Sequence, residues 1–145
     1  CFEAPQNRTT KLNRIRGKSM QIVTPDFKGK NPGHYSAGVI SNGMLYVSGQ
    51  LSLDPDTREP CTGDIRAHAL LALNNVDRVL KAAGVTRNQV VLCRVYTPSS
   101  EYWGAINEVY AEFFGEHKPA RIVVSTTSLH FGCLVEIEAM AEMHS

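Results

Sequence analysis

Much is missing from this 145-residue chain, and each absence removes a class of function. No apolar run approaches the roughly 18–20 residues that cross a bilayer. The longest helical candidate, Ile65–Ala83, is broken by Arg66, His68, Asn74, Asn75, Asp77, Arg78 and Lys81, so the chain reads as a protein with no membrane partner. There is no GxGxxG, no P-loop, no HExxH and no GxSxG; the sequence offers no dinucleotide cradle, phosphate loop, zincin helix or nucleophile elbow. The four cysteines (Cys1, Cys61, Cys93, Cys133) are too scattered for a zinc or dithiol motif, which reads as free thiols in a reducing, cytoplasmic setting. The histidines (His34, His68, His117, His130, His144) fall in no metal-ligand spacing, so no metal is expected. His68, inside the first helical candidate, reads as a surface or half-buried residue.

Positive charge is scarce beyond the first nineteen residues. Those nineteen hold Arg8, Lys11, Arg14, Arg16 and Lys18 against one acid, Glu3. Residues 20–145 hold ten basic and thirteen acidic side chains, a net charge of −3. Nucleic-acid binders carry a clustered basic face, so an acidic body argues against nucleic acid as a partner. Residues 1–19 lack periodicity and an apolar core of the secretory type; they are read as a basic N-terminal extension or vector-derived arm, with Met20 opening the folded pattern.

What is present is an ordinary globular composition, 43% apolar, of a length suited to one domain over residues 20–145. Residues 119–138, PARIVVSTTSLHFGCLVEIE, organise it. Pro119 discourages helix before it and donates no amide proton. The β-branched run after Arg121 suits a strand, and residues 133–140 read as a second strand after a turn at Gly132. There Glu136 and Glu138 alternate with Val135, Ile137 and Ala139, so both glutamates point to one face. Arg121 and a carboxylate on neighbouring strands would make a small polar site.

Upstream, Asn42-Gly43 marks a hairpin joining residues 35–40 to 44–48. Ile65, Ala69, Leu73, Val76, Leu80 and Ala83 recur at three- and four-residue steps, an amphipathic helix stopped by Gly84. A strand over 89–97 follows, then a helix capped by Ser99 or Ser100 and ending at Gly115, with Trp103, Ile106, Val109, Tyr110 and Phe113 on its apolar face. The economical packing is α+β: one mixed sheet with two helices on one face. Nothing remains in the chain to cover the other face, which predicts an oligomer whose sheets close on one another. The polar residues left at strand ends and on the second helix are Tyr35, Ser48, Asn107, Arg121 and Glu136.

Three blocks, GHYSAGVISNGMLYVSGQLSLDPDT, NEVYAEFFGEHKPAR and LVEIEAMAEM, together with the AAG after the first helix, resemble the signature segments of the RidA/YjgF family, the reactive intermediate deaminases. The resemblance spans residues 20–143 and rests on the order and spacing of the blocks. It implies a chorismate-mutase-like fold, a homotrimeric barrel with clefts between subunits, and cofactor-free hydrolysis of small 2-enamine and 2-imine acids to 2-oxo acids and ammonia. It also implies that Arg121 holds the substrate carboxylate, that Glu136 positions water or shuttles a proton, and that Tyr35, Ser48, Gly49 and Asn107 line the same cleft. The residues themselves leave other roles open: Arg121 paired with Glu136 or Glu138, Tyr35 packed in the core, Ser48 satisfying backbone, Asn107 fixing a loop. Where the family has Gly-Pro-Tyr this chain has Gly33-His34-Tyr35, and where it has Leu-Pro this chain has Leu129-His130, so the resemblance puts His34 and His130 near the cleft rim. Ala37 and Val123 stand where glutamine and cysteine are usual. Other relatives have been described as single-strand ribonucleases or translation inhibitors, and a non-catalytic carboxylate or client binder is a further alternative.

Overall fold

The computed structural model describes residues 10–15 and 18–144. The elements run β1 (Thr10–Ile15), β2 (Lys18–Val23), β3 (Gly38–Ser41), β4 (Met44–Leu51), α1 (Ile65–Ala83), β5 (Val90–Thr97), α2 (Trp103–Phe114), β6 (Ala120–Ser125) and β7 (Glu136–Glu142). All seven strands join one sheet in the order β1-β2-β3-β4-β7-β5-β6. Only β5 and β6 are parallel; α2 is their crossover. The expected α+β arrangement, one mixed sheet with two helices on one face, is the observed one.

Local chemistry sets the boundaries. The β3–β4 turn is the Asn42-Gly43 pair, both at positive φ, as a two-residue hairpin requires. β3 begins at Gly38, three residues later than the hydrophobic pattern suggests, because residues 31–36 are held in a loop: Gly33 N–H donates to Asn31 Oδ1, and Asn31 Nδ2 to the Tyr35 carbonyl. Asp64 caps α1 by accepting from Ala67 N–H, and Gly84 ends it in the left-handed conformation. Ser99 accepts from Glu101 N–H and opens a 3-10 turn that leads into α2. β7 starts at Glu136, since residues 130–132 form a 3-10 turn with Phe131 at φ 61°. Thr10–Ile15, inside the stretch read as an arm, pairs antiparallel with β2. Residues 1–9, 16, 17 and 145 lie outside the described residues.

The core lies between the helices and one sheet face. Ala69, Ala72, Leu73, Val76, Val79 and Leu80 of α1 and Ile106, Val109, Tyr110 and Phe113 of α2 meet Leu45, Val47, Cys93, Val95, Ile137 and Ala139. Each fully buried aliphatic side chain contributes about 1.5–3 kcal/mol. The reading of His68 as a surface or half-buried residue is corrected: only 3% of it is exposed. Its helical position faces the strand ends, and hydrogen bonds to its ring compensate the burial.

The other sheet face is bare. Tyr46 is 44% exposed and Ile122 50% exposed, beside Leu92, Arg94, Tyr96, Glu138 and Met140. Tyr96 Oη donates to Glu138 Oε1 at 3.0 Å, and Arg94 Nη1 to the same oxygen at 3.1 Å. Among the described residues no helix is long and apolar enough to cross a membrane.

Candidate functional site

Arg121 is the second residue of the edge strand β6. Its register partner is Cys93, which in turn pairs with Ala139. Cys93 and Ala139 are buried beneath the helices, so Arg121 points to the helix face. There its Nη1 donates to Asn107 Oδ1 at 2.9 Å. The guanidinium carbon lies 4.8 Å from the ring centre of Tyr110 and 5.6 Å from that of Trp103. Asn107, Trp103 and Tyr110 all belong to α2, so one helix orients the cation by a hydrogen bond and two aromatic faces. Tyr110 and Cys93 are neutral supports: burial pushes the phenol far up and the thiol up to about 11. Among the described residues no carboxylate forms an ion pair with Arg121, so the alternative pairing with Glu136 or Glu138 is not made. Arg121 and Asn107 line a cavity of about 450 Å³ whose remaining wall includes Phe114, His117 and Lys118.

Glu136 stands elsewhere. It pairs with Tyr96 on one side and Leu51 on the other, which puts it on the bare face. β4 bulges beside it: Val47 pairs with Ala139 and Gln50 with Ile137, leaving Ser48 and Gly49 opposite Glu138 alone. The carboxylate lies against Gly49 so closely that an added Cβ there would stand 2.9 Å from Oε1. The Glu136 carboxylate makes no hydrogen bond to another described residue. Burial pushes its pKa up from the ordinary carboxylate value, the neighbouring His130 opposes that rise, and Glu138 adds to it.

Ser48 ties the hairpin together, with Oγ donating to the Ser36 carbonyl at 2.6 Å and N–H to the Ala37 carbonyl at 2.9 Å. Its one hydroxyl proton is therefore committed, and only its lone pairs remain for a ligand. Tyr35 is not a core aromatic: half of it is exposed, and it lines a second cavity of about 230 Å³ with Ser36, Ala37, Gln50 and Arg58. Asn107 fixes no loop; it holds Arg121. His34 is exposed beside Tyr35, and His130 lies near enough to Glu136 for its charge to be felt.

The structure thus gathers the expected residues into two groups. Arg121 and Asn107 lie under α2 at the sheet edge. Tyr35, Ser48, Gly49 and Glu136 lie around the β4 bulge. β5 separates β6 from β7, and the two groups face opposite sides of the sheet, so one chain does not bring Arg121 to Glu136. Sequence reasoning placed them on neighbouring strands because chain order hides the insertion of β5. It also missed Gln50, 8% exposed, whose Nε2 donates to the Ser48 carbonyl and braces the bulge.

Residues 28–143 match the family model described as Endoribonuclease L-PSP, the model of the RidA/YjgF proteins. The chain belongs to the RidA/YjgF family. A RutC family protein of Pyrococcus horikoshii is 37% identical over 121 residues, covering 83% of this chain and 96% of that one. The mouse 2-iminobutanoate/2-iminopropanoate deaminase is 38% identical over 109 residues, covering 75% of this chain and 81% of the mouse protein. Among solved structures, E. coli TdcF with bound serine superposes with a TM-score of 0.79 at 32% identity, covering 86% of this chain and 98% of TdcF. This member of the RidA/YjgF family therefore shares most of its length with a protein named as a deaminase, and its fold with one solved with bound serine.

Proposed function

We propose that this protein hydrolyses small 2-imino and 2-enamino acids to 2-oxo acids and ammonia in the cytoplasm, without a cofactor. The observation that carries the reading is Arg121: a permanently charged, planar cation, oriented by Asn107 and facing a cavity, with no carboxylate among the described residues paired to it. A guanidinium in that state suits a small carboxylate held by two parallel hydrogen bonds. The mammalian relatives called 2-iminobutanoate/2-iminopropanoate deaminases support the choice of substrate class.

The reaction asks little of the protein beyond orientation, because an imine carbon is already electrophilic. Arg121 holds the carboxylate. Glu136 takes a proton from water as the water oxygen bonds to the imine carbon, and that proton passes to nitrogen to give a carbinolamine; the carbinol hydroxyl then gives its own proton to the same nitrogen as the C–N bond breaks, which releases ammonia and the 2-oxo acid. Since Arg121 and Glu136 face opposite sides of the sheet, the site is composite: Arg121 and Asn107 from one subunit, with Tyr35, Ser48, Gly49 and Glu136 from a neighbour. A homotrimer closed through the bare sheet faces would supply that neighbour and cover Tyr46 and Ile122.

The test is a coupled assay in which an amino-acid oxidase generates imines and semicarbazide traps those that escape hydrolysis. The protein is expected to suppress semicarbazone formation, and Arg121→Ala to abolish the suppression. Equal suppression by Arg121→Ala would overturn the reading. Sedimentation at micromolar concentration should give the mass of three chains.

A second reading, binding without turnover, draws on the serine held by TdcF. Thermal stabilisation by serine or a 2-oxo acid with no imine hydrolysis would favour it. RNA cleavage, named in the family description, has less support here, because residues 20–145 carry −3.

A further inference from the structure

Leu134, two residues before Glu136, has both backbone polar groups held by buried side chains from other elements. Its N–H donates to His68 Nδ1 at 3.3 Å, and its carbonyl accepts from Thr97 Oγ1 at 2.9 Å. Ser52 Oγ stands 2.6 Å from the same His68 nitrogen. Ser52 and Thr97 are fully buried and His68 nearly so. Two buried side chains, from the first turns of α1 and the end of β5, thus hold the two backbone polar groups of one residue, and Ser52, just past β4, holds the histidine.

The tautomer follows from the donors. An amide N–H can only donate, so Nδ1 carries the lone pair and the ring proton sits on Nε2. Burial keeps the ring neutral by pushing its pKa down, against the opposing pull of Asp64. The Ser52 hydroxyl shares the Nδ1 lone pair. Apolar residues of similar shape would stabilise such a site about as well, so the cluster is better explained by what it positions than by what it adds to stability.

What it positions is the entry to β7. The preceding loop carries Phe131 in the left-handed region and 65% exposed, so it gives β7 little support. The Glu136 carboxylate has no hydrogen bond of its own to another described residue; its place depends on the backbone that delivers it. We infer that His68 is a positioning residue for Glu136: as the neutral acceptor of the Leu134 N–H, it seats the start of β7 so that the carboxylate stays pressed against Gly49. The consequence for rate rests on the deaminase reading; the seating itself does not.

Two variants of the full chain separate the possibilities. Asn places Oδ1 on the same branch as Nδ1 and accepts the same N–H, whereas Leu fills space without an acceptor. The readout is the titration of the Glu136 side-chain carboxyl, followed by ¹³C NMR. In the parent it titrates above the ordinary carboxylate value, His68→Asn keeps that, and His68→Leu returns it toward the ordinary value. In the imine assay the acid limb of kcat/KM moves to lower pH by the same shift in His68→Leu, and kcat falls on the order of tenfold or more while KM, set by Arg121, stays within about twofold. Should His68→Leu not fold, Thr97→Val frees the carbonyl of the same residue and is expected to move the titration the same way. An unchanged Glu136 titration in His68→Leu, or in Thr97→Val where it replaces it, would overturn the inference and leave His68 a packing residue. A parent protein that hydrolyses no imine, with the titration shifted as expected, would sink the deaminase reading and leave this one standing.

Discussion

Arg121 Nη1 donates to Asn107 Oδ1 at 2.9 Å, joining the edge strand β6 to the crossover helix that precedes it. The bond engages one N–H of the guanidinium fork and sets the plane of the rest. Removing it leaves the charge in place and loosens its direction. Asn107→Ala is therefore expected to raise KM for small imino acids about tenfold, with folding unchanged. Arg121→Lys, which keeps the charge and loses the planar fork, is expected to lose on the order of a hundredfold in kcat/KM. Steady-state kinetics on 2-iminopropanoate checks both.

Gly49 is required for contact and not for backbone freedom, since its φ is not in the left-handed region. Gly49→Ala would place a methyl 2.9 Å from Glu136 Oε1, and the flexible carboxylate would swing away. The expected result is a folded protein, within about 1 kcal/mol of the parent by denaturant titration, whose imine hydrolysis is strongly reduced.

Glu136 is held at a cost. Its folded-state pKa lies above the unfolded value, so the folded state binds more protons and stability falls as pH rises through that window. Glu136→Gln removes the charge and is expected to raise the thermal midpoint at pH 7. The gain should vanish below the ordinary carboxylate range, where the parent is protonated in both states. Melting curves against pH measure this without any substrate. The same variant should lose imine hydrolysis, a site kept at the expense of stability.

Asp77 shows the opposite sign. Burial alone would raise its pKa, but hydrogen bonds from Arg87 and Lys81 outweigh burial and hold it below the ordinary value. Its contribution is present above the unfolded pKa and lost as pH falls through the folded one. Arg87 also donates to the Phe113 carbonyl and lies 3.7 Å above the Phe113 ring, tying α1 to the end of α2. Arg87→Ala is expected to cost about 2–3 kcal/mol in urea unfolding at pH 7, and less at pH 3.

The fold was largely legible in the sequence because its signals are local. Asn42-Gly43, the α1 periodicity and Gly84 each act within a few residues, and the alternation around Glu136 correctly put Glu136 and Glu138 on one face. The candidate site was named as a set of residues only through the resemblance, because nothing local marks Arg121 as different from any strand arginine. Its arrangement was not legible. That Arg121 faces the helices depends on the parallel pairing with β5, and parallel register is set by the crossover and not by a turn. His68 was misjudged for a related reason: helical spacing placed it beside the apolar stripe, but the acceptor-seeking N–H of Leu134 lies 66 residues away.

The outward turn of Glu136 and the inward turn of Arg121 bear on how damage to this protein would combine. If each site draws one group from each of two chains, a chain lacking Arg121 and a chain lacking Glu136 are inactive alone yet complement one another. Mixed assemblies of Arg121→Ala and Glu136→Gln chains would rebuild some intact clefts from the sound halves of two defective partners.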